Sequence, residues 1–410
     1  MSSLIKADLN KLSNEDLLKR SDKYVFSTGL DDGAAKLASI NTKYGLAKIH
    51  FVQQSFGFSP NACFISTPDQ TITRNDYRWD WGSGYGGKYV WGNGLDEIIF
   101  PDLKPNSCGM IVVGLESEPS QEQIINNVIA LRNSQDYIND IKIKWDFEKS
   151  NHFIDVFKKS SIDPYADSSE IKNFDYFGII HCSAPEMKKV SPGMYIDDSK
   201  ELYNMCEHVK TPFGNCNVLL DDKAVSYFDF CQRANDFSKQ RRVLAANKIF
   251  GANTVISNAN HQGIISNINE MYLGAHNSLE DCLLPITFKA DSIAYLAKGL
   301  PNFSEEQIEN NGWTKRAENR ELINVLLNAN VMPHGGGYAL NDMLNVEKVI
   351  TLNDNRYFVC NLEHTEASIT ISNPKDLQFH YRGKQVGKKS FDLRLAERVA
   401  VLEPLFVIKF

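Results

Sequence analysis

The sequence predicts an α+β protein, with mixed sheets flanked by helices, on three observations. Short apolar runs bounded by turn residues read as strands. One long polar–apolar stretch reads as a helix. The C-terminal part, including "VEKVITLNDNRYFVCNL" and "RVAVLEPLFVIKF", reads as mostly β.

The elements follow in order. Ser13, with Asp16 three residues on, is a capping-box pattern that starts a short helix. Residues 55 to 94, rich in Gly, Trp, Tyr and Asn, read as loop-dominated and as lining a surface. Their aromatic set of Tyr77, Trp79, Trp81, Tyr85, Tyr89 and Trp91 suits either stacked single-stranded bases or the edge of a packed core. "EIIFPDLKPNSCGMIVVGL" reads as strand, proline-broken loop and second strand, with Cys108 at the entrance to the apolar run. Ile124, Ile125, Val128 and Leu131 share one helical face, and "NHFIDVF" and "FGIIHCS" read as strands. Lys223 to Phe250 reads as a helix. Within it "KQRR", from Lys239 to Arg242, reads as a solvated face rather than an RNA patch. "ELINVLLNAN" reads as a helix stopping before Pro333, which places His334 in a loop after a helix. Asn353 to Asn355 reads as a hairpin turn.

Composition narrows the function. The chain has 410 residues, 42% hydrophobic and 23% charged, enough for a large core. No Pro/Ser/Gly-rich linker and no fixed-period repeat interrupts it, so a single domain over residues 1 to 410 is expected. A formal net charge of -7 excludes the global basic field of an indiscriminate nucleic-acid binder, so any nucleic-acid contact is local. With no apolar leader and no membrane-spanning run, the expectation is a soluble, cytoplasmic protein without a membrane partner. The 8 cysteines show no C-x-x-C pair and read mostly as free, buried thiols.

Candidate chemistry rests on histidine and cysteine, the usual ligands of borderline metals. His152, His181 and His261 each sit beside small or amide residues, where a backbone turn presents an imidazole into a cleft. His50, His208, His276, His364 and His380 have no such setting. His334 stands directly before Gly335, Gly336 and Gly337, and three glycines in a row imply a sharp turn or a close approach.

In this order the stretches resemble the RtcB RNA ligases, over about residues 96 to 410, leaving 1 to 95 as a divergent N-terminal part. "PNSCGM" resembles that family's Asp-x-x-Cys-Gly-Met loop, "KSNHFIDVF" its Gly-Asn-His-Phe strand and "FGIIHCSAP" its His-Ser-Gly-Ser turn. "RANDFSKQRR" lies where the family has Ala-Asn-Arg-Gln, and "VISNANHQGI" falls on the next metal histidine. "VMPHGGGYAL" matches His-Gly-Ala-Gly-Arg, and "LEPLFVIKF" resembles the family's C-terminus with Lys409 on the lysine. The resemblance implies a GTP- and Mn²⁺-dependent ligase joining RNA 3′-phosphate or 2′,3′-cyclic phosphate ends to 5′-hydroxyl ends. It implies His334 as the nucleophile that carries GMP, and Cys108, His181 and His261 as one metal site. His152 would belong to a second metal site sharing Cys108. Asn151 would meet phosphate, Lys409 guanine, and the Gly335 and Gly337 backbone the nucleotide; Lys289, which the family pattern lacks, is a further candidate for the phosphate. An activating helper protein is a further expected partner.

The sequence departs from that pattern at four places. Pro105 replaces the family aspartate, so the second metal site loses its carboxylate unless Asp102 or another group takes its place. Lys289 and Asp291 stand where a Gly/Ser turn holds phosphate. "YLGAHNSLE" lacks the family arginine, and Tyr338 replaces the arginine after the glycines. Two alternatives stay open: another metal-dependent phosphodiesterase or nucleotidyltransferase on the same scaffold, and a non-catalytic RNA-binding relative.

Overall fold

The computed structural model describes residues 8 to 147 and 152 to 409, and its mixture of helices and sheets is α+β. Among the described residues, eleven strands pair into one sheet. In chain order they are β1 (Val25–Phe26), β2 (Cys63–Thr71), β3 (Tyr85–Val90), β4 (Cys108–Leu115), β5 (Phe153–Ile162), β6 (Tyr176–Cys182), β7 (Thr254–Gly263), β8 (Glu270–Leu273), β9 (Leu283–Ile286), β10 (Ala294–Gly299) and β11 (Ala396–Ile408). Their spatial order is β1-β2-β3-β8-β7-β4-β6-β5-β11-β10-β9. Only β1 and β2 pair in parallel; the other pairings are antiparallel.

The two faces of the sheet follow from strand alternation. Ile111, Val113, Ile154 and Ile180 pack against the helices α3 (Gln121–Asn133) and α4 (Asp221–Phe250). Met110, Val112, Phe153 and Ile179 belong to a cluster on the opposite face. Cys108, two residues before Met110, therefore points away from α4. The helices α1 (Asn14–Asp22), with Ser13 accepting from the Asp16 N–H, and α2 (Gly33–Ser55) cover the β1–β3 end. Of the α3 face read as Ile124, Ile125, Val128 and Leu131, Ile125 is half-buried and the other three are buried, and Asn353 and Asp354 turn the expected hairpin at positive φ.

Three expectations are corrected. Residues 55 to 94 are not loop-dominated: they form β2, the helix Asp76–Trp81 and β3. Trp79, Trp81, Tyr89 and Trp91 are buried there, so aromatic packing overrides a glycine-rich composition and the core reading holds for those four, while Tyr77 and Tyr85 are half-buried and Tyr85 lines a cavity. The helix before Pro333 is only Ile323–Leu327, because Asn328 to Asn330 leave it, with Asn330 at φ 50°; His334 instead follows a short strand, Val331–Pro333, paired with Ala275–Asn277. Finally, "KQRR" is a solvated face only at the exposed Gln240 and the half-buried Lys239. Arg241 and Arg242 are fully buried, each with fixed acceptors.

Arg241 binds Asp146 (2.7 Å), Glu186 (3.1 Å) and the Ser183 carbonyl (2.9 Å). Arg242 binds Asn258 (2.7 Å), Ser238 (2.9 Å) and Asn260 (2.6 Å). Replacing Arg241 by Met strands two buried carboxylates, so we expect a loss of about 3–5 kcal/mol in denaturant unfolding. An unchanged unfolding midpoint would contradict that assignment. No helix among the described residues is long and apolar enough to cross a membrane.

A candidate metal and nucleophile centre

Cys108 is delivered by a loop that α4 holds in place. Ser107, at φ 51°, donates from its hydroxyl to Asn235 (2.8 Å), and its carbonyl accepts from the Ser238 hydroxyl (2.7 Å). Residues directly opposite in an antiparallel pair share a face. His181 lies opposite Met110 and Phe153, so it faces the same side as Cys108.

His261 reaches that side by a β-bulge. Asn260 pairs with Gly109 and Gln262 with Cys108, which leaves His261 as the extra residue. Asn260 then points to Arg242 on the helix side, while His261 and Gln262 both turn toward Cys108. This bulge carries no mark in the sequence.

The three side chains converge. Cys108 Sγ is 3.0 Å from His181 Nε2, and that nitrogen is 3.1 Å from His261 Nε2. All three ligand atoms lie within 4.8 Å of one another and all three residues are buried. Tetrahedral ligands bound at about 2.0–2.3 Å would sit about 3.3–3.7 Å apart, so the donor set fits a divalent transition metal. Burial first, then the neighbouring imidazoles, holds His261 well below the ordinary histidine value, which keeps it neutral with a lone pair to offer. His261 Nδ1 is buried without a hydrogen-bond partner.

His152 stands at the margin of this group. Its Nε2 is 3.8 Å from Cys108 Sγ, and its Nδ1 faces the Asp146 carboxylate at 3.1 Å. Burial works against its charged form, but Asp146 and Cys108 raise it well above the ordinary value. Asp102 does not replace the aspartate missing at Pro105. It is buried, with its oxygens engaged by Tyr77, Trp81 and Asn217. Among the described residues the only group of three such donors is Cys108, His181 and His261.

His334 completes the cluster, with its ring 4.5 Å from that of His261 and 6.4 Å from that of His181. Its Nδ1 lies 2.9 Å from Asp69 Oδ2, and Asp69 is fully buried. Asp69 sits in the irregular stretch of β2 where the pairing with β3 shifts between Ser66 and Thr71. A carboxylate accepting Nδ1–H fixes the tautomer in which Nε2 carries the lone pair.

The glycines are explained by backbone packing. A Cβ on Gly336 would sit 2.2 Å from the Arg382 carbonyl oxygen, and Gly337 has φ +68° with the Asp69 carbonyl 2.5 Å from such a Cβ. Gly335 forms a bridge with Thr287, and its N–H faces Asp69 Oδ2 at 3.4 Å. The glycines thus hold His334 against Asp69 more than they make room for a nucleotide.

A cavity of about 630 Å³ opens over the centre. Cys108, His152, His181, His334, Gly335, Gly337, Lys289 and Lys409 all line it, while His261 lies behind them; Asn151 falls outside the described residues. Lys289 is paired with Asp291 at 3.3 Å. The wall from Thr71 to Arg78, within the segment misread as loop, supplies Arg74 and Arg78. The eight cysteines are free, and all but the half-buried Cys282 are buried.

Asp155, also in the wall, was not singled out in the sequence. Burial pushes its carboxyl up to about 8, with Lys409 opposing, and Oδ1 has no hydrogen-bond partner. Because the folded form holds its proton where the unfolded chain has lost it, Asp155 costs stability as pH rises from about 4 to 8. Unfolding of Asp155→Asn should lose that fall, up to about 1.4 kcal/mol per pH unit in the window. Parallel curves for the two proteins would contradict this placement.

Against known proteins, no family model matches the chain and no curated protein matches it.

Proposed function

We propose that the chain is a divergent RtcB-like, metal- and GTP-dependent RNA ligase that works through a His334–GMP intermediate. One observation carries the reading: a thiol and two imidazoles with metal-ligand spacing meet, at one cavity, a third imidazole held by a buried carboxylate.

The roles follow from the geometry. With Nδ1–H held by Asp69, His334 Nε2 is the nitrogen left to attack the α-phosphorus of GTP. The N–P bond forms as the bond to the bridging oxygen breaks, and pyrophosphate leaves. Asp69 balances the positive charge that develops on the imidazole. Cys108, His181 and His261 would hold the divalent ion, which when bound supplies positive charge to phosphate oxygens. Lys409 offers a donor, and Asp155, protonated below about pH 8, offers a hydroxyl donor and a carbonyl acceptor, a combination suited to the edge of guanine, whose ring carries both acceptor and donor atoms. GMP then passes from His334 to the RNA 3′-phosphate, and the 5′-hydroxyl displaces it.

Incubation of an RNA 3′-phosphate end and a 5′-hydroxyl end with GTP and Mn²⁺ should give a joined product that His334→Ala does not make. Joining without GTP would contradict the reading. A metal-dependent phosphodiesterase or other nucleotidyltransferase is the second reading, favoured by Lys289, Asp291 and Tyr338 standing where the family pattern has its phosphate-binding residues. GTP-independent cleavage of RNA would select it.

A further inference from the structure

Four cations line the cavity, and three already have neighbours that account for them. Lys289 pairs with Asp291. Lys409 faces the protonated Asp155 and is already assigned to the guanine edge. Arg78 is fully buried and donates to the carbonyls of Leu103 (3.2 Å) and Lys104. Arg74 differs. It has no carboxylate within ion-pair distance among the described residues, and its Nε is buried without a hydrogen-bond partner.

Its side chain is nonetheless held in place. The guanidinium carbon lies 4.0 Å from the centre of the Phe379 ring and 5.9 Å from that of Tyr338. Tyr338, Phe379 and Tyr381 pack on one another with ring centres 4.9 to 6.0 Å apart, and Tyr338 pairs with Tyr381 across a short two-stranded sheet. Tyr338 follows directly after Gly337, the position where an arginine was expected. Stacking holds the guanidinium in place, the Tyr338 hydroxyl engages it by a hydrogen bond, and the buried Nε–H is left without an acceptor. Neither carboxyl group lining the cavity, Asp155 or Asp291, pairs with Arg74, so its remaining N–H groups are open to an oxyanion brought by a ligand.

We propose that Arg74 is a phosphate-binding residue, which supplies from the β2 end of the cavity the guanidinium that Tyr338 cannot. The proposal rests on the reading of the cavity as a nucleotide and RNA-end site. The ligand chemistry is a phosphate oxyanion, either from the polyphosphate of GTP or from the terminal phosphate of RNA.

The test is a set of binding titrations in the His334→Ala background, where no covalent step intervenes. The probes are guanosine, GTP, inorganic pyrophosphate and a short RNA with a 3′-phosphate. Arg74→Gln should weaken at least one phosphate-bearing probe by roughly 10- to 100-fold and leave guanosine unchanged. Arg74→Lys, which keeps the charge without the fork, should fall between. Loss on GTP and pyrophosphate assigns the nucleotide polyphosphate, and loss on the RNA alone assigns the RNA end. If every probe binds Arg74→Gln as tightly as the parent, or if guanosine weakens in step with the phosphates, Arg74 only braces the aromatic cluster and the proposal fails. Arg74-dependent pyrophosphate binding in a protein that never labels with GTP would retain this proposal and reject the ligase reading. Labelling with no Arg74 effect would do the reverse.

Discussion

Asp69→Asn is expected to slow guanylylation of His334 by about 10²- to 10⁴-fold while leaving metal content unchanged. The carboxylate accepts from Nδ1 at 2.9 Å and is itself fully buried, so the ring has one engaged nitrogen and one left for chemistry. An asparagine in the same space can turn its NH₂ toward Nδ1, which favours the tautomer with hydrogen on Nε2 and removes the lone pair that would attack phosphorus. Single-turnover rates with labelled GTP measure the effect, and metal analysis of the same sample is its control. A rate within a few-fold of the parent would mean that Asp69 serves only the fold.

Cys108→Ser is expected to empty the metal site. Sγ is the one thiolate-forming donor in the cluster, 3.0 Å from His181 Nε2, and a serine hydroxyl is a far poorer ligand. Divalent-ion affinity should drop by more than about 100-fold, since even outer-shell changes cost 10- to 100-fold. His152→Ala should cost less, because His152 lies outside the three-donor group at 3.8 Å from Sγ. Elemental analysis after dialysis should give one ion per parent chain and none for Cys108→Ser. Two ions per parent chain would restore the two-metal site despite Pro105.

Much of this centre was legible in the sequence, and the exceptions have physical causes. Cys108, His181, His261 and His334 each lie in a short stretch of characteristic neighbours, so they could be read one by one. Their convergence depends on strand register and on the bulge that turns His261. Asp69 was missed because its partner lies 265 residues away and its own segment reads as loop by composition. Arg74 escaped for the same reason. Arg241 and Arg242 were misjudged because charge in a helix usually marks solvent, whereas here buried carboxylates, amides and carbonyls receive both. The α+β class was readable because long periodic segments such as α4 and the C-terminal hairpin tolerate boundary errors. The truncated helix at Ile323–Leu327 shows where that tolerance ends.

The most direct test of the account is incubation of the protein with α-labelled GTP and Mn²⁺, followed by denaturing separation. The account predicts covalent label that is lost in acid, requires metal, and is absent from His334→Ala. Metal-replete protein that takes up no label, or label that survives in His334→Ala, would contradict it.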